Sequence, residues 1–564
     1  MTGGEAVVRM LNAHGVELGF GMGGFQALPY YDALTRQDSL RHVLIRDEKE
    51  GAFAADAYAR IANRPAIVDA TLGPGATNLL SGLAESQGAS IPLLALTGEV
   101  NVGFAGRGGT QESDQVGMLT PASKASISIE TIERIPELTR RALTIATGGR
   151  PGPVHLNVRE NVFHAKAEFG EEEFFAHPGT DRVGGRRTRP AAGAVDEAIA
   201  LLRKAERPVA IAGGGVHLSQ AYDEVAAFVA ATGIPLASTI SGKGALREDH
   251  ELALGLCGRY SRSANGLIGE ADLLIVIGSK LGEIATNRWA MIPPHTPLIQ
   301  IDVEAEELGH YYSPTVPLWA DVREALRDLV AALDAESGTL PAANRERAQL
   351  IAERKGEWLA TAEESYTSEE SPINVARLLA ELRAVLPGDG ILVADGGFAA
   401  HWSALLFDVT QAGRTYIANR GHAAIGYGLP GALGAKLAAP NRPVVALCGD
   451  NGFAMAMGEL ETALRAEAPI VCAVVNNRTL GYVKALQHAL YADRFISVDF
   501  EEVDYAAIAE AHGCLGLRVD EPGELAGAFE RALGAGVPSV LDIRTTTDPA
   551  KMLPGVDSRT AAND

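Results

Sequence analysis

Short, nearly continuous apolar runs recur along this chain, each bounded by Gly, Pro or a polar cluster. They include Pro153 to Val158, Pro208 to Ala212, Leu273 to Ile277, Pro297 to Ile301 and Pro443 to Cys448. Runs of this length without alternation suit strands buried on both faces. Between them lie segments with apolar positions at helical spacing, such as Val195 to Lys204, which predict amphipathic helices. Strand and helix patterns alternating in this way predict parallel sheets flanked by helices, hence an α/β protein.

The pattern fades twice. Glu168 to Pro190 mixes an acidic run with Gly, Pro and Arg, and Asn344 to Glu364 is charged and helical. Read as connectors, these stretches leave three doubly wound blocks. They are an N-terminal domain over 1–167, a central Rossmann-like domain over 190–340 and a C-terminal domain over 371–550. A chain of 564 residues accommodates them with ample core.

Composition narrows the partners. A net charge of −22 argues against nucleic acid or an anionic membrane and leaves a small-molecule substrate. Cys257, Cys448, Cys472 and Cys514 form neither a CxxC nor a zinc spacing, as expected of free thiols in a reducing cytoplasm. The start carries no basic leader, and no apolar run is long enough to span a membrane.

The run ending at Cys448 opens onto Gly449-Asp450-Asn451-Gly452-Phe453; a helical segment and a second apolar strand follow, closing on Asn476-Asn477. Glycines allow close backbone approach, and the first turn of a helix presents unpaired N–H groups, together a cradle for a diphosphate. Adjacent parallel strands ending at Asp450 and Asn477 would deliver two oxygen ligands to one spot. Mg²⁺ needs little more, since it keeps waters and takes phosphate oxygens. Residue types alone leave open a generic βα turn followed by a polar strand end.

These segments resemble the thiamine-diphosphate signature of the superfamily that includes acetolactate synthase, benzaldehyde lyase and oxalyl-CoA decarboxylase. The resemblance implies thiamine diphosphate and Mg²⁺, with the ion held by Asp450, Asn477 and the carbonyl of Thr479. Gly449, Asn451, Gly452, Leu480 and Gly481 would surround the diphosphate. Asn451 replaces the family's second glycine; Asn tolerates left-handed backbone, so the turn is expected to survive.

The resemblance extends over essentially the whole chain. Phe20 to Phe25 is similar to the family's first glycine loop (Gly24, Phe25), and Thr71 to Asn78 to its Gly-Pro-Gly element (Thr71, Pro74, Asn78). Asp395-Gly396-Gly397-Phe398 and Gly421 to Pro430 complete the cofactor site: Ile425 aligns with the apolar wedge between the cofactor rings, and the carbonyl of Ala423 with the acceptor of the 4′-amino group. The chemistry needs a carboxylate on the aminopyrimidine. Counting back from Ala55-Asp56-Ala57-Tyr58-Ala59-Arg60 selects Glu48, with Glu50 the alternative. Gln111 aligns with an active-site amide that reaches substrate oxygens. His422 and His401 are candidate proton relays and equally candidate structural hydrogen bonders. In this family Glu48 and the cradle meet across a subunit interface, which implies a homodimer at minimum and commonly a homotetramer.

Departures from the family refine the activity it implies. No His-His pair occurs, and Val483 stands where decarboxylases carry a Glu, so an apolar wall favours carboligation or its reverse over simple decarboxylation. The implied activity forms or cleaves a C–C bond beside a carbonyl through an enamine carbanion, on a 2-oxo acid or 2-hydroxy ketone. Thr110 replaces a Phe, and Lys484 and Leu486 replace a Val and a Trp, of authentic acetolactate synthases. Lys484 offers a cation for an anionic substrate, or is a solvated surface lysine. Lys280-Leu281-Gly282-Glu283-Ile284 replaces the flavin-binding segment, which argues against FAD and leaves the central domain for an ADP- or CoA-type nucleotide, or empty. A 2-hydroxyacyl-CoA lyase or acyl-CoA decarboxylase is the alternative enzyme, but the tail after Arg544 is short, with Lys551 and Arg559 its cations. A non-catalytic paralogue would have lost Glu48 or the metal ligands.

Overall fold

The computed structural model describes residues 1–335 and 345–554. The expected end of the central domain at 340, the connector's first residue Asn344 and the tail cation Arg559 lie outside them. The first sheet contains β1 (Leu18–Gly21), β2 (Arg41–Leu44), β3 (Ala66–Ala70), β4 (Leu93–Glu99), β5 (Ala125–Ile129) and β6 (Val154–Arg159). The second contains β7 (Pro208–Ala212), β8 (Leu236–Ser238), β9 (Ala253–Leu256), β10 (Leu273–Ile277), β11 (Leu298–Asp302) and β12 (Val316–Trp319). The third contains β13 (Ile391–Ala394), β14 (Tyr416–Ala418), β15 (Val444–Gly449), β16 (Val471–Asn476), β17 (Leu515–Val519) and β18 (Ser539–Arg544). All pairings within them are parallel.

The apolar runs of the sequence are the central strands of these sheets, and they are buried along almost their whole length. Three starts shift by one residue, at Val154, Leu298 and Val444, each after a proline, which has no N–H for the ladder. The helix expected at Val195 to Lys204 runs over Ala192–Leu202, and the charged connector is helical over Arg345–Tyr366.

Strand order carries the functional consequence. The first sheet runs β2-β1-β3-β4-β6-β5 and the third β14-β13-β15-β16-β18-β17, the same order twice. The second runs β12-β11-β10-β7-β8-β9, the doubly wound dinucleotide-fold order. Each sheet therefore has a switch point where connections leave to opposite faces and a crevice opens at the carboxyl edge. In the first sheet this lies between β1 and β3, which lead into the loops holding Gly24 and Thr71. In the third it lies between β13 and β15, which lead into Asp395 to Phe398 and Asp450.

The first and third sheets of one chain share a continuous core, joined by the helices Glu48–Ala62 and Gly428–Ala438. Asp47 caps the first, accepting from Lys49 N–H at 2.8 Å, and Asn63 ends it in left-handed backbone. Its many alanines let another helix approach closely. A methyl group added at Gly434 would lie 1.9 Å from the Ala54 carbonyl oxygen, so the two backbones touch. Gly434→Ala is expected to lower unfolding stability in urea by about 1–3 kcal/mol through forced separation of these helices. Gly527→Ala, where an added methyl meets nothing within 4 Å, is expected to stabilise its helix by about 0.5–1 kcal/mol.

Candidate active site

At the carboxyl edge of the first sheet, four of the expected segments converge. Glu48 begins the helix after β2, is buried, and accepts a hydrogen bond on Oε2 from Asn78 Nδ2 at 3.0 Å. Gly75 approaches it so closely that a methyl there would lie 2.9 Å from Glu48 Oε1. Thr71 Oγ donates to Gln26 Oε1 at 2.9 Å, and Gly24 packs against the Thr71 side chain. Gly73 has φ +66° and lies beneath the Gln111 carbonyl oxygen, which an added methyl would meet at 2.3 Å; only glycine fits. Gln111 itself is exposed in left-handed backbone on the loop after β4, and Phe25 is exposed on the glycine loop. Pro74 starts the short helix Pro74–Asn78.

The third sheet assembles the second group. Asp450 and Asn477 follow the adjacent parallel strands β15 and β16, whose register pairs Gly449 with Val475. Asp450 Oδ1 accepts from Asn451 N–H at 2.7 Å, while the buried Oδ2 receives no well-aligned hydrogen bond. Burial pushes this carboxyl up to about 6, against the pull of the Asn451, Arg478, Thr479 and Asn477 backbone amides. An orphaned, desolvated carboxylate oxygen beside an Asn side chain is a fit for a hard cation. A methyl built on Gly449 meets nothing within 4 Å, so its backbone faces open space, as a cradle requires. Asn477 Oδ1 accepts from Thr479 N–H at 3.3 Å, and the Thr479 carbonyl accepts from Gly481 N–H at 2.8 Å, leaving its second lone pair. Gly481 packs against Asn477 and the Phe398 ring, and Leu480 N–H is tied to Val498 O at 2.7 Å. Asn451 does not take the left-handed backbone expected of it. It lies in the first turn of the helix Asp450–Ala456, so no glycine is required there, and Gly452 instead packs against Asp395.

Between the groups runs the loop Gly421 to Tyr427. Ala423 has φ +59°, a strained setting for a residue with a Cβ. Ile425 lies against Gly397, itself at φ +67°. The buried Asp395 accepts from Gly396, Gly426 and Tyr427 N–H at 2.7, 2.9 and 2.9 Å, fixing the loop's end. His422 points its side chain to solvent. His401 is sandwiched between Tyr260 and Tyr482, with ring centroids 4.6 and 4.7 Å away, a packing setting. Lys484 is not an open cation: its Nζ pairs with Asp499 at 2.7 Å and lies over the Phe495 ring.

Two acids were underestimated from sequence. Glu85, in the apolar context Leu83-Ala84-Glu85-Ser86, is fully buried and accepts the N–H groups of Gly421, His422 and Ala423. A charged residue on an otherwise apolar helix face was the available signal. Glu50 is buried beside Gly426, where a methyl would lie 3.8 Å from its Oε1. It pairs with Lys49 Nζ at 2.9 Å, but neither of its oxygens receives a well-aligned hydrogen bond.

The N-terminal TPP binding domain model of thiamine pyrophosphate enzymes matches residues 1–118, the central domain model 195–329 and the C-terminal TPP binding domain model 395–543. The probable acetolactate synthase large subunit of Methanocaldococcus jannaschii is 35% identical over 99% of this chain and 93% of its own. The Corynebacterium glutamicum large subunit is 32% identical over 94% and 84%, and the Escherichia coli isozyme 2 large subunit 31% over 96% and 95%. Three such domains in this order define a thiamine pyrophosphate enzyme. Within that class the chain belongs to the acetolactate synthase-like family, and it is an enzyme.

Burial pushes the Glu50 carboxyl up to about 8, opposed first by Lys49. Between the ordinary carboxylate range and 8, the folded state holds a proton that the unfolded state has lost. Stability contributed here is therefore lost as pH rises, by at most about 1.4 kcal/mol per pH unit. Unfolding titrations from pH 5 to 8 should show a shallower decline for Glu50→Gln than for the wild type.

Proposed function

We propose that the protein joins two carbonyl compounds, at least one a 2-oxo acid, or splits the corresponding 2-hydroxy ketone, using thiamine diphosphate and Mg²⁺. The observation carrying this reading is the edge of β15 and β16, where Asp450 keeps an unpartnered buried oxygen next to Asn477 and the open backbone of Gly449. Asp450, Asn477 and the Thr479 carbonyl would hold the ion, and the backbone from Gly449 to Gly452, with Gly397, Phe398, Leu480 and Gly481, the diphosphate end. Bound there, the cofactor supplies a carbon nucleophile that adds to a carbonyl.

The chain's own residues divide the remaining tasks. The Ala423 carbonyl would accept a hydrogen bond from the aminopyrimidine, and the Ile425 side chain, which lies against Gly397, would pack on the cofactor. The Glu48 carboxyl, held in place by Asn78, would exchange a proton with the pyrimidine ring. Glu48 is preferred over Glu50 because it faces the loop of Thr71 to Asn78, whereas Glu50 faces Gly426 of its own chain. Gly24, Phe25, Thr71, Pro74 and Asn78 would line the cofactor beside Glu48, and the Gln111 amide would reach substrate oxygens. His422, exposed at the loop, remains available to carry a proton between solvent and the site. Val483 keeps a carboxylate away from the reacting carbon.

Adding thiamine diphosphate and Mg²⁺ together to apo protein is expected to raise the melting temperature, by mass action on the folded state. Glu48→Gln should keep that shift and lose turnover by at least about 100-fold, scored by mass spectrometry of products from a panel of 2-oxo acids, acyloins and acyl-CoAs. Loss of activity in Glu50→Gln with survival in Glu48→Gln would reverse the assignment.

The same reading calls for a second copy of the chain. Phe25, Leu28, Leu80, Val102 and Phe104 are exposed on the turns and helix starts that follow β1, β3 and β4, at the edge that carries Glu48. Apolar side chains gathered at one edge mark an interface, and a C2 dimer would set Glu48 of each protomer against the partner's cradle. Sedimentation should give a dimer or tetramer, and Phe25→Asp with Phe104→Asp should shift it towards monomer with parallel loss of activity.

The central domain offers a cleft of about 530 Å³ between the carboxyl ends of β7 and β10, lined by Gly214, Gly215, Gly278, Lys280 and the buried Asp302. Its switch-point position suits an adenine-nucleotide-type ligand. Lys280 donates to the Gly88 carbonyl at 2.8 Å, and Lys551 pairs with Glu370, so neither offers an uncommitted cation for a CoA phosphate. The four cysteines are buried and free, in keeping with a reducing compartment, and among the described residues no helix is long and apolar enough to cross a membrane.

A further inference from the structure

The segment Ala55 to Arg60 holds one end of a buried ionic chain that ends on the loop Gly421 to Tyr427. Arg60 Nε donates to Asp56 Oδ1 at 2.6 Å and its Nη2 to Glu85 Oε1 at 3.0 Å. Asp56 and Glu85 are fully buried and Arg60 nearly so. From Glu85 the chain crosses into the C-terminal domain. Oε1 accepts the Gly421 N–H at 2.9 Å, and Oε2 accepts the His422 and Ala423 N–H groups at 2.6 and 3.0 Å. From Asp56 it crosses again, because the buried Tyr427 hydroxyl donates to Oδ1 at 2.6 Å. Gly421 seats so tightly on this helix that a methyl there would lie 1.9 Å from the Glu85 carbonyl oxygen. Both flanks of Gly421 to Tyr427 are thus fixed from the N-terminal domain, and between them stand Ala423, at φ +59°, and Ile425.

We infer that Asp56, Arg60 and Glu85 form a clamp that sets the cofactor-binding conformation of the loop Gly421 to Tyr427 in the same chain, with Glu85 as its principal positioning residue. The physical reason is mutual need. Arg60 gives each carboxylate one partner, and the remaining acceptors of Glu85 are met by three consecutive backbone amides. Without those amides a carboxylate would be buried with most of its hydrogen bonds unmade. Without the carboxylate, three parallel N–H dipoles would repel one another and the left-handed Ala423 would relax to ordinary backbone. The carbonyl of Ala423 and the side chain of Ile425 would then leave the positions assigned to them. Glu85 touches neither cofactor nor substrate; it acts through the loop.

The inference rests on the thiamine diphosphate reading, and the test separates the two. Holoenzyme is prepared with Mg²⁺ and thiamine diphosphate for the wild type, Glu85→Gln and Glu85→Asp. Cofactor affinity is measured by titration, and the exchange of the cofactor C2 hydrogen with deuterium by quenched-flow NMR at saturating cofactor. Glu85→Gln replaces one acceptor oxygen with a donor that faces the loop amides. It is expected to weaken cofactor binding and slow C2 exchange by roughly 10- to 100-fold each, with partial recovery in Glu85→Asp. A merely structural role would lower the melting temperature but leave exchange at saturation unchanged, and that result overturns the clamp. If Glu85→Gln does not fold, Tyr427→Phe carries the test, with an expected slowing of roughly threefold to tenfold; wild-type exchange there overturns it. Wild-type protein that binds no thiamine diphosphate overturns the functional reading and the clamp with it.

Discussion

One helix, Glu48–Ala62, bears on everything else in this protein because it is buried between two domains. A helix with partners all round cannot follow an amphipathic stripe; it needs small residues where backbones meet and paired charges where polar groups go under. This one has both. Ala54 sits against Gly434, and Asp56 and Arg60 are placed one turn apart so that they satisfy one another. Its first turn holds Glu48 and Glu50 on opposite sides, the one against Asn78 and the other against Gly426. Any rotation of the helix would move the carboxylate, the ionic chain and the loop together.

Buried charges of this kind are seldom the cheapest way to hold a fold. Replacing a buried ion pair by well-packed apolar groups is often neutral or stabilising, whereas removing one partner is severely destabilising. The chain of Asp56, Arg60 and Glu85 is therefore better understood by what it orders than by what it stabilises. It satisfies three amides of a loop that contains no helix or strand, in a crevice where water would otherwise compete for them.

The architecture was legible in the sequence because strands buried on both faces leave unmistakable apolar runs, and the glycine loops fall where such runs end. Asp450 and Asn477 were legible for the same reason, each closing a strand. What stayed hidden was pairing at long range. Glu85 meets residues more than three hundred positions away, Lys484 is neutralised by an Asp499 that no helical spacing announces, and Glu50 is buried by a domain the local pattern does not mention. Local patterns report which face of an element is wet, and all three of these depend on which element comes to cover it. The backbone of Asn451 differed from expectation on another ground: the helix begins one residue earlier than a separate glycine turn would require.

The repeated strand order of the first and third sheets sharpens the division of labour. Two copies of one topology place their switch-point loops at equivalent positions, after the first and third strands of each sheet. In the third sheet those positions carry Asp395-Gly396-Gly397 and Gly449-Asp450, acids and glycines suited to backbone capture of phosphate and a hard cation. In the first sheet they carry Met22-Gly23-Gly24 and Leu72-Gly73-Pro74; the acid near those strand ends, Asp69, is already taken by Tyr31 and His42, and the buried Glu48 comes instead from the helix after β2. A crevice whose acid is already committed offers little to a metal-bound diphosphate, and one crowded with glycine amides has few side chains with which to move a proton. Each sheet carries groups that the other lacks, so the proposed chemistry calls on both crevices.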